Sequence, residues 1–318
     1  MSNTILEKQS VLGLFAIAVL LLSLVFSSSI VLSSGASNKS AIIVNTGNNF
    51  PNENDTDAFP GQALQAYWAL RKNGYDDEQI TLMLFHTNDP FVDFDGDGKN
   101  DLDNAVVDYE GSEITKETIL AQIEKIRSII EPYGELWIYL VDHGRLIAPN
   151  TAALEFENGE ALYETEFSNW INNLLCKKLV ILTDFCYSGE FIDSSIGPGR
   201  ICISSCNEER GLYYWNWNLT GTTKELFGSS GSVFFHPFWN KIAQGASPEE
   251  AFDFANKHYR DWQKVDQGSK EIIELQTPKM VVKERSFFEN IGYEILAFFY
   301  SLRKMMFGKI GVLQARRT

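Results

Sequence analysis

Two short apolar runs, each ending abruptly in polar residues and a glycine, constrain the fold of this chain more than any other feature of its sequence. Residues 135–141 run into an Asp-His-Gly turn at 142–144, and residues 178–183 run into Asp-Phe-Cys-Tyr-Ser-Gly at 184–189. Apolar runs of this length are typical of strands that are buried on both faces of a parallel sheet. We therefore predict an α/β fold, with a mostly parallel sheet covered by helices on both faces.

The ends of these two runs carry the parts of a cysteine nucleophile. Chemistry in open α/β sheets sits beyond the carboxyl ends of the strands, where one run delivers His143 and the other delivers Cys186. A thiolate attacks a carbonyl, and an imidazole can protonate the leaving amine. The backbone amides of Gly144 and Cys186 are the candidates for stabilising the oxyanion, because glycine permits close approach. Singly, either residue has an ordinary structural reading; their matching positions indicate catalysis.

The two turns resemble the histidine and cysteine motifs of the caspase-like cysteine peptidases, and they are most similar to those of the legumain family. In that family an Asp-His-Gly turn carries the histidine, and an acidic residue stands two places before the cysteine. The resemblance covers roughly residues 40–260. It implies a caspase-like three-layer sandwich and a cysteine endopeptidase that acts on peptide or protein substrates. No cofactor is required for that catalysis.

Substrate preference is expected to depend on Asp184. Strand alternation places this carboxylate on the same side as Cys186. The resemblance implies that the acidic position lines the pocket for the residue before the cut bond, with Ser204 and Ser205 as its wall. A carboxylate in such a pocket pairs with a basic side chain, so we expect cleavage after Arg or Lys.

Several alternatives concern this site. The Arg-His pair that shapes the legumain pocket is missing between residues 45 and 60, which argues against a preference for Asn but leaves it possible. Asp184 is also placed to cap the helix after the cysteine, and Asp142 is placed to orient His143. The same acyl-enzyme would serve a transpeptidase or a protein-to-anchor transamidase. A calcium-dependent binding protein without catalysis is the alternative from another class.

A dense run of carboxylates at residues 93–103 matches the start of an EF-hand calcium loop, with glycine at the sixth position. The candidate calcium ligands are Asp93, Asp95, Asp97 and Asp101. The twelfth position is Asn104, where such a loop has a bidentate Glu, and the alternative is a solvated acidic loop. Carboxylates packed this densely repel one another unless a cation is bound, so we expect a structural calcium ion.

The termini differ in character from the region between them. Residues 11–26 are almost wholly apolar and the apolar run resumes at 30–32, so the whole stretch is about the length of a membrane span; a small-residue cleavage site follows at 34–36. We expect residues 1–37 to be a signal peptide or an N-terminal membrane anchor, with the protein outside the cytoplasm, secreted or held by one N-terminal helix. Residues 38–265 are predicted to form the peptidase domain. The net charge of −15 argues against a nucleic-acid partner.

Residues 266–318 are predicted to form a C-terminal tail with an amphipathic helix. Its apolar stripe consists of Phe287, Ile291, Ile295, Phe298, Leu302 and Met305. Carboxylates at Glu289 and Glu294 argue against a spanning helix, and the basic end of the tail suits a helix that lies at a membrane surface. The alternative is a helix packed on the peptidase domain. Elsewhere, Cys202 and Cys206 are close enough in sequence to pair, or both are unpaired and buried.

Overall fold

The computed structural model describes residues 38–47, 58–85, 99–130, 132–148, 151–207, 214–216, 230–232, 234–265 and 277–314. In these residues the strands are β1 (Lys39–Asn45), β2 (Ile80–Leu84), β3 (Tyr109–Glu110), β4 (Glu135–Val141), β5 (Gly144–Ala148), β6 (Thr151–Glu155), β7 (Ala161–Tyr163), β8 (Lys178–Asp184), β9 (Arg200–Ser204), β10 (Tyr214–Asn216), β11 (Ser230–Ser232) and β12 (Lys279–Lys283). The α-helices are α1 (Ala58–Lys72), α2 (Lys116–Ile129), α3 (Glu164–Ile171), α4 (Ser188–Asp193), α5 (Phe235–Ala243), α6 (Pro248–Val265) and α7 (Phe287–Gln314).

The main sheet has seven strands in the order β12-β9-β8-β4-β1-β2-β3. All neighbours are parallel except β12, which runs antiparallel to β9 at one edge. The mostly parallel α/β sheet that the sequence predicts is therefore confirmed. Its central strands are β1, β4 and β8, so the two apolar runs are direct neighbours.

Each face of the sheet packs against its own set of helices. Side chains at alternate positions of β4, such as Trp137 and Tyr139, join one core with α1, α5 and α6. The intervening positions, such as Leu136 and Ile138, join a second core with α2, α3 and α4. Burial on both faces explains why these strands contain almost no polar residue. The molecule is a three-layer sandwich of the caspase-like kind.

A second, antiparallel sheet follows β4. Strands β5 and β6 form a hairpin, β7 pairs with β6, and α3 follows over Glu164–Ile171. The small sheet forms because Ala152, Leu154 and Leu162 pack against the second core. The predicted domain end at residue 265 is too early, because β12 completes the main sheet beyond it.

The predicted C-terminal helix forms as α7, but its apolar stripe does not pack on the domain. Ile291 and Ile295 are exposed, and contact with the domain instead runs through Tyr293 and Ala297. No α-helix in the described parts of the chain has the length and apolar content required to cross a membrane. Residues 1–37 lie outside the described residues, so the prediction of a signal peptide or anchor stays a prediction.

Candidate active site

The Asp-His-Gly turn and the cysteine turn lie side by side at the carboxyl edge of the sheet. Strands β4 and β8 are paired in register up to Val141 and Asp184, and His143 and Cys186 each follow two positions later. The register continues into the turns, because the Asp142 amide donates to the Asp184 carbonyl at 3.3 Å. The histidine and the cysteine therefore leave neighbouring strands at the same level.

The histidine and the aspartate before the cysteine share one face of the sheet. The His143 ring packs on Phe59 of α1, while Asp184 is bonded to Tyr139, and both Phe59 and Tyr139 belong to the core that contains α1 and α5. Alternation along β8 assigns Cys186 to the same face as Asp184. Phe185, between them, packs into the opposite core, as this alternation requires.

Gly144 marks the closest approach of the two turns. A Cβ atom at this position would lie 2.3 Å from the carbonyl oxygen of Cys186 and 2.5 Å from Cδ2 of Phe185. The Cys186 amide nitrogen would lie 3.1 Å from the same point. A side chain cannot occupy this space, so glycine is required for the two backbones to meet. The contact joins the candidate nucleophile to the histidine turn through main-chain atoms.

The turn that carries the cysteine is strained at its next residue. Tyr187 has φ 64° and ψ 17°, and it is the one non-glycine residue with positive φ in the described parts of the chain. Bulky residues rarely adopt this conformation, and strain of this kind clusters at functional sites. The turn is closed by the Ser188 amide, which donates to the Phe185 carbonyl at 3.2 Å. Helix α4, which follows, has six residues, so few peptide dipoles are aligned toward the cysteine.

A second cysteine supports this turn from beneath. The buried Cys206 thiol donates to the Phe185 carbonyl at 3.1 Å and lies 3.4 Å from the Ser188 hydroxyl. Burial raises the pKa of Cys206 to about 12, so this thiol is protonated at neutral pH. Cys186 is partly exposed, whereas Cys202 and Cys206 are both buried and form no disulfide. Of the two alternatives for Cys202 and Cys206, a disulfide or two buried thiols, the structure shows two buried thiols.

His143 is half-buried beneath an aromatic ring. The ring centroids of His143 and Phe59 are 5.0 Å apart, with an interplanar angle of 85°. Burial lowers the pKa of His143 below its ordinary value, and the negative charges of Glu155 and Glu157 partly oppose that change. The neutral imidazole, which can accept a proton, is therefore favoured at neutral pH.

Asp142 holds the histidine turn through its backbone. Its carboxylate accepts hydrogen bonds from the His143 amide at 2.6 Å and from Asn45 Nδ2 at 2.8 Å, and further bonds come from Thr46 and Gly47. Burial raises the pKa of Asp142 to about 7, although these donors favour the charged form. Asp142 therefore contacts the backbone amide of His143, and its carboxylate also holds the turn to the end of β1 through Asn45.

Of the three predicted pocket residues, two lie on the catalytic face. Asp184 is fully buried, and its Oδ2 accepts a hydrogen bond from the Tyr139 hydroxyl at 2.9 Å. The register pairs Thr183 with Ser204, so Ser205 continues on the Asp184 side. Ser204 lies on the other face and donates to the Cys206 carbonyl at 2.8 Å. The structure therefore does not place the Ser204 side chain on the face where the pocket wall was predicted.

Comparison with known protein families now bears on this site. The family described as Peptidase C13, the legumain family, matches residues 50–283, which is most of the chain and includes both turns. The chain belongs to the Peptidase C13 family. Membership makes it a cysteine peptidase of the caspase fold, with a peptide or protein as substrate. The resemblance read from the two motifs is thus confirmed at the level of the family.

Other comparisons add little. No curated protein matches this member of the C13 family. Among solved structures, it is similar to protein GSU0716 from Geobacter sulfurreducens, with 11% identity and a TM-score of 0.44. That match covers 78% of this chain and 94% of the other chain. The likeness is too distant to carry an argument about function.

The acidic run lies mostly outside the described residues of this C13 family member. Asp93, Asp95 and Asp97 are not described, and Asp101 is described only by its backbone, where it begins a short 3₁₀ helix. Within the described residues, no group of three His, Cys, Asp or Glu side chains is arranged to hold a metal ion. The calcium site therefore stays a prediction.

Three contributors to the site escaped the sequence analysis. Phe59 lies 84 positions before the histidine that it covers, and no local pattern links the two. Asn45 lies 97 positions before Asp142. Its signal was a polar Asn-Thr-Gly ending on β1, the same pattern of polar residues and glycine that marks β4 and β8. The strain at Tyr187 has no sequence signal, because a bulky aromatic residue argues against positive φ.

Proposed function

We propose that this chain is a cysteine endopeptidase in which Cys186 is the nucleophile and His143 is its acid/base partner. The observation that carries the proposal is the main-chain contact between Gly144 and Cys186, which brings the two turns together. The shared face of His143 and Asp184 supports it, because a peptide lying over that face would meet both turns.

The chemistry follows from the arrangement. His143 accepts the thiol proton, and the Cys186 sulfur forms a bond to the carbonyl carbon of the substrate. The carbonyl oxygen becomes an oxyanion, for which the amides of Gly144 and Cys186 are the candidate main-chain donors. Collapse of this intermediate breaks the C–N bond, and the leaving amine takes the proton from His143. Water then hydrolyses the thioester, with His143 as the base, and regenerates the thiol.

The preference for Arg or Lys before the cut bond is part of the proposal. Asp184 supports it, since a buried carboxylate beside the nucleophile attracts a cationic side chain strongly. Profiling a peptide library with the purified protein should show Arg and Lys cleaved best, and Asp184→Asn should remove that preference while leaving Cys186 reactive. A preference for Asn in the wild-type profile would contradict this specificity.

Hydrolysis and transpeptidation share the acyl-enzyme and differ only in whether water or an amine attacks it. We propose hydrolysis, and incubation with a peptide and an excess of a nucleophilic amine distinguishes the two by product mass. Products with a free carboxyl group, even at high amine concentration, support a peptidase. Predominant amide products would assign the chain to the transpeptidases of the same fold.

We further propose that the acidic run binds a structural calcium ion and that the protein acts outside the cytoplasm. The dense carboxylates support the first point and the apolar residues 11–26 support the second. A chelator should then lower the melting temperature, and Asp95→Ala combined with Asp97→Ala should remove that dependence. An unchanged melting temperature of the wild type in chelator would contradict the calcium site. Fractionation of the cells that produce the protein tests the location.

A further inference from the structure

Helix α7 contacts the domain through a narrow face and exposes most of its circumference. Among its side chains that the structure describes, up to residue 303, the buried ones are Tyr293 and Ala297. At 100° per residue, Glu289, Asn290 and Glu294 fall in the same half of the helix. All three side chains are exposed, and Glu294 accepts a hydrogen bond from the Tyr133 hydroxyl, so the polar side chains of the first turns flank the narrow face that contacts the domain.

The opposite half of α7 is an exposed apolar surface. Its members are Phe287, Phe288, Ile291, Ile295 and Phe299, with Leu296 at its margin, and these side chains are 43% to 82% exposed. At roughly 200 Å² for each large apolar side chain, these fractions leave on the order of 700 Å² of apolar surface open. Contiguous patches of that size on soluble proteins mark interaction sites.

The base of α7 is fixed to the amino edge of the sheet, so the exposed half has a defined direction. Arg285 donates to the Cys176 carbonyl at 2.8 Å, and its guanidinium lies 3.9 Å from the centre of the Tyr293 ring. The Tyr133 hydroxyl donates to Glu294 at 3.2 Å. Residues 133 and 176 directly precede β4 and β8. The helix is therefore held where these strands begin, and the catalytic turns lie where they end.

Charge identifies the kind of partner that suits this surface. Residues 277–318 contain eight Lys and Arg against three Glu, a net charge of +5. The whole chain has a net charge of −15, so residues 1–276 together carry −20. An apolar helix half within a basic segment is the pattern of helices that lie in the interface of an anionic membrane.

We propose that α7 lies along an anionic lipid surface, with its apolar half in the acyl region and the catalytic edge directed away from the lipid. Strand β8 has seven residues, which at about 3.3 Å each separates the two edges by roughly 20 Å. Asn38, where the described chain begins, lies at the same edge as α7, since its carbonyl accepts the Glu135 amide at 2.8 Å. The inference does not depend on the proposed peptidase activity.

The test places an environment-sensitive fluorophore on the full-length chain in a Cys186→Ala background. One protein carries the label at Phe288→Cys and a matched control carries it at Leu146→Cys, which is 43% exposed in β5 beside the catalytic turn. With phosphatidylglycerol vesicles, the label at 288 should shift its emission to the blue and be quenched by nitroxide lipids. The label at 146 should remain in water. Leu296→Asp with Phe299→Asp should weaken vesicle binding of the 288 region by roughly tenfold or more.

Each other outcome overturns the proposal. No shift at 288 on phosphatidylglycerol would mean that any vesicle binding comes from another part of the chain. A blue shift without vesicles would mean that residues 1–37 cover the helix if it is independent of protein concentration, or a second copy if it is not. An equal shift on phosphatidylcholine would remove the role of charge, and a shift at 146 would remove the orientation.

Discussion

The two edges of the main sheet depart from the ordinary distribution of polar and apolar residues in opposite ways. At the carboxyl edge, polar side chains such as Asn45, Asp142 and Asp184 are almost fully buried. At the amino edge, α7 exposes large apolar side chains such as Phe288. Buried polar groups and exposed apolar patches are the departures that carry functional information. This difference supports our proposals that one edge holds the reactive groups and that the other contacts lipid.

The largest expected difference between the two edges comes from adding one methyl group at each of them. Gly144→Ala places a Cβ 2.3 Å from the Cys186 carbonyl oxygen, whereas a Cβ on Gly292 of α7 meets nothing within 4 Å. We expect Gly144→Ala to reduce kcat/KM by on the order of 100-fold, since displaced catalytic groups lose rate at about this scale. Gly292→Ala should leave kcat/KM unchanged and be neutral to slightly stabilising. Near-wild-type activity of Gly144→Ala would contradict the contact.

Replacing Asp142 with Asn tests the anchoring of the histidine turn. The carboxylate faces only donors, among them the His143 amide and Asn45 Nδ2. The side-chain amide of an Asn at position 142 would place its own N–H group against one of these donors. We expect Asp142→Asn to lower the free energy of unfolding by about 1–3 kcal/mol at pH 8. The control is Asp193→Asn, which removes an exposed pair with Lys279 and should change stability by less than about 1 kcal/mol. Denaturant titrations of both variants measure the difference.

The same variant tests a pH dependence. Because the folded-state pKa of Asp142 is raised to about 7, the folded state holds a proton that the unfolded state has released above about pH 4. The stabilisation from this group is therefore complete at low pH and is lost as the pH rises through about 7. Asp142→Asn should lack that decline, and an identical slope in wild type and variant would contradict it.

The smallest expected effect is on the acid limb of the activity profile. Burial lowers the pKa of His143, so the neutral imidazole persists and kcat/KM should fall only below the ordinary pH range of a histidine. Glu157 opposes this shift, so Glu157→Gln should move the limb to still lower pH. Glu166→Gln, whose carboxylate pairs with Lys116, is the control and should leave the limb in place. Movement of the limb to higher pH in Glu157→Gln would have the wrong sign.

Local pattern predicts the frame of the catalytic edge because both strands are buried on two faces. An uninterrupted apolar run followed by polar residues and a glycine is a strong signal, and it correctly brings β4 and β8 together in the sheet. The place of Ser204 was also within reach of the sequence. Alternation along β9 puts it on the face opposite to Ser205.

What escaped prediction depends on contacts between distant segments. The packing of Phe59 on His143 depends on how α1 crosses the sheet, and the donors to Asp142 come from the end of β1. Periodicity likewise identifies the apolar stripe of α7 but not the direction that it faces. That direction is set by Tyr293 and Arg285, whose contact is not visible in any local pattern.

The central claim is that the two turns form one reactive site, and a single mass-spectrometric measurement tests it most directly. A thiol-directed peptide probe ending in Arg is incubated with wild type, His143→Ala, Cys186→Ala and Cys206→Ala, and the labelled peptide is identified. We predict that wild type and Cys206→Ala are labelled at Cys186, that His143→Ala is labelled far more slowly, and that Cys186→Ala is not labelled. Labelling that persists in Cys186→Ala, or that is unchanged in His143→Ala, would contradict the claim.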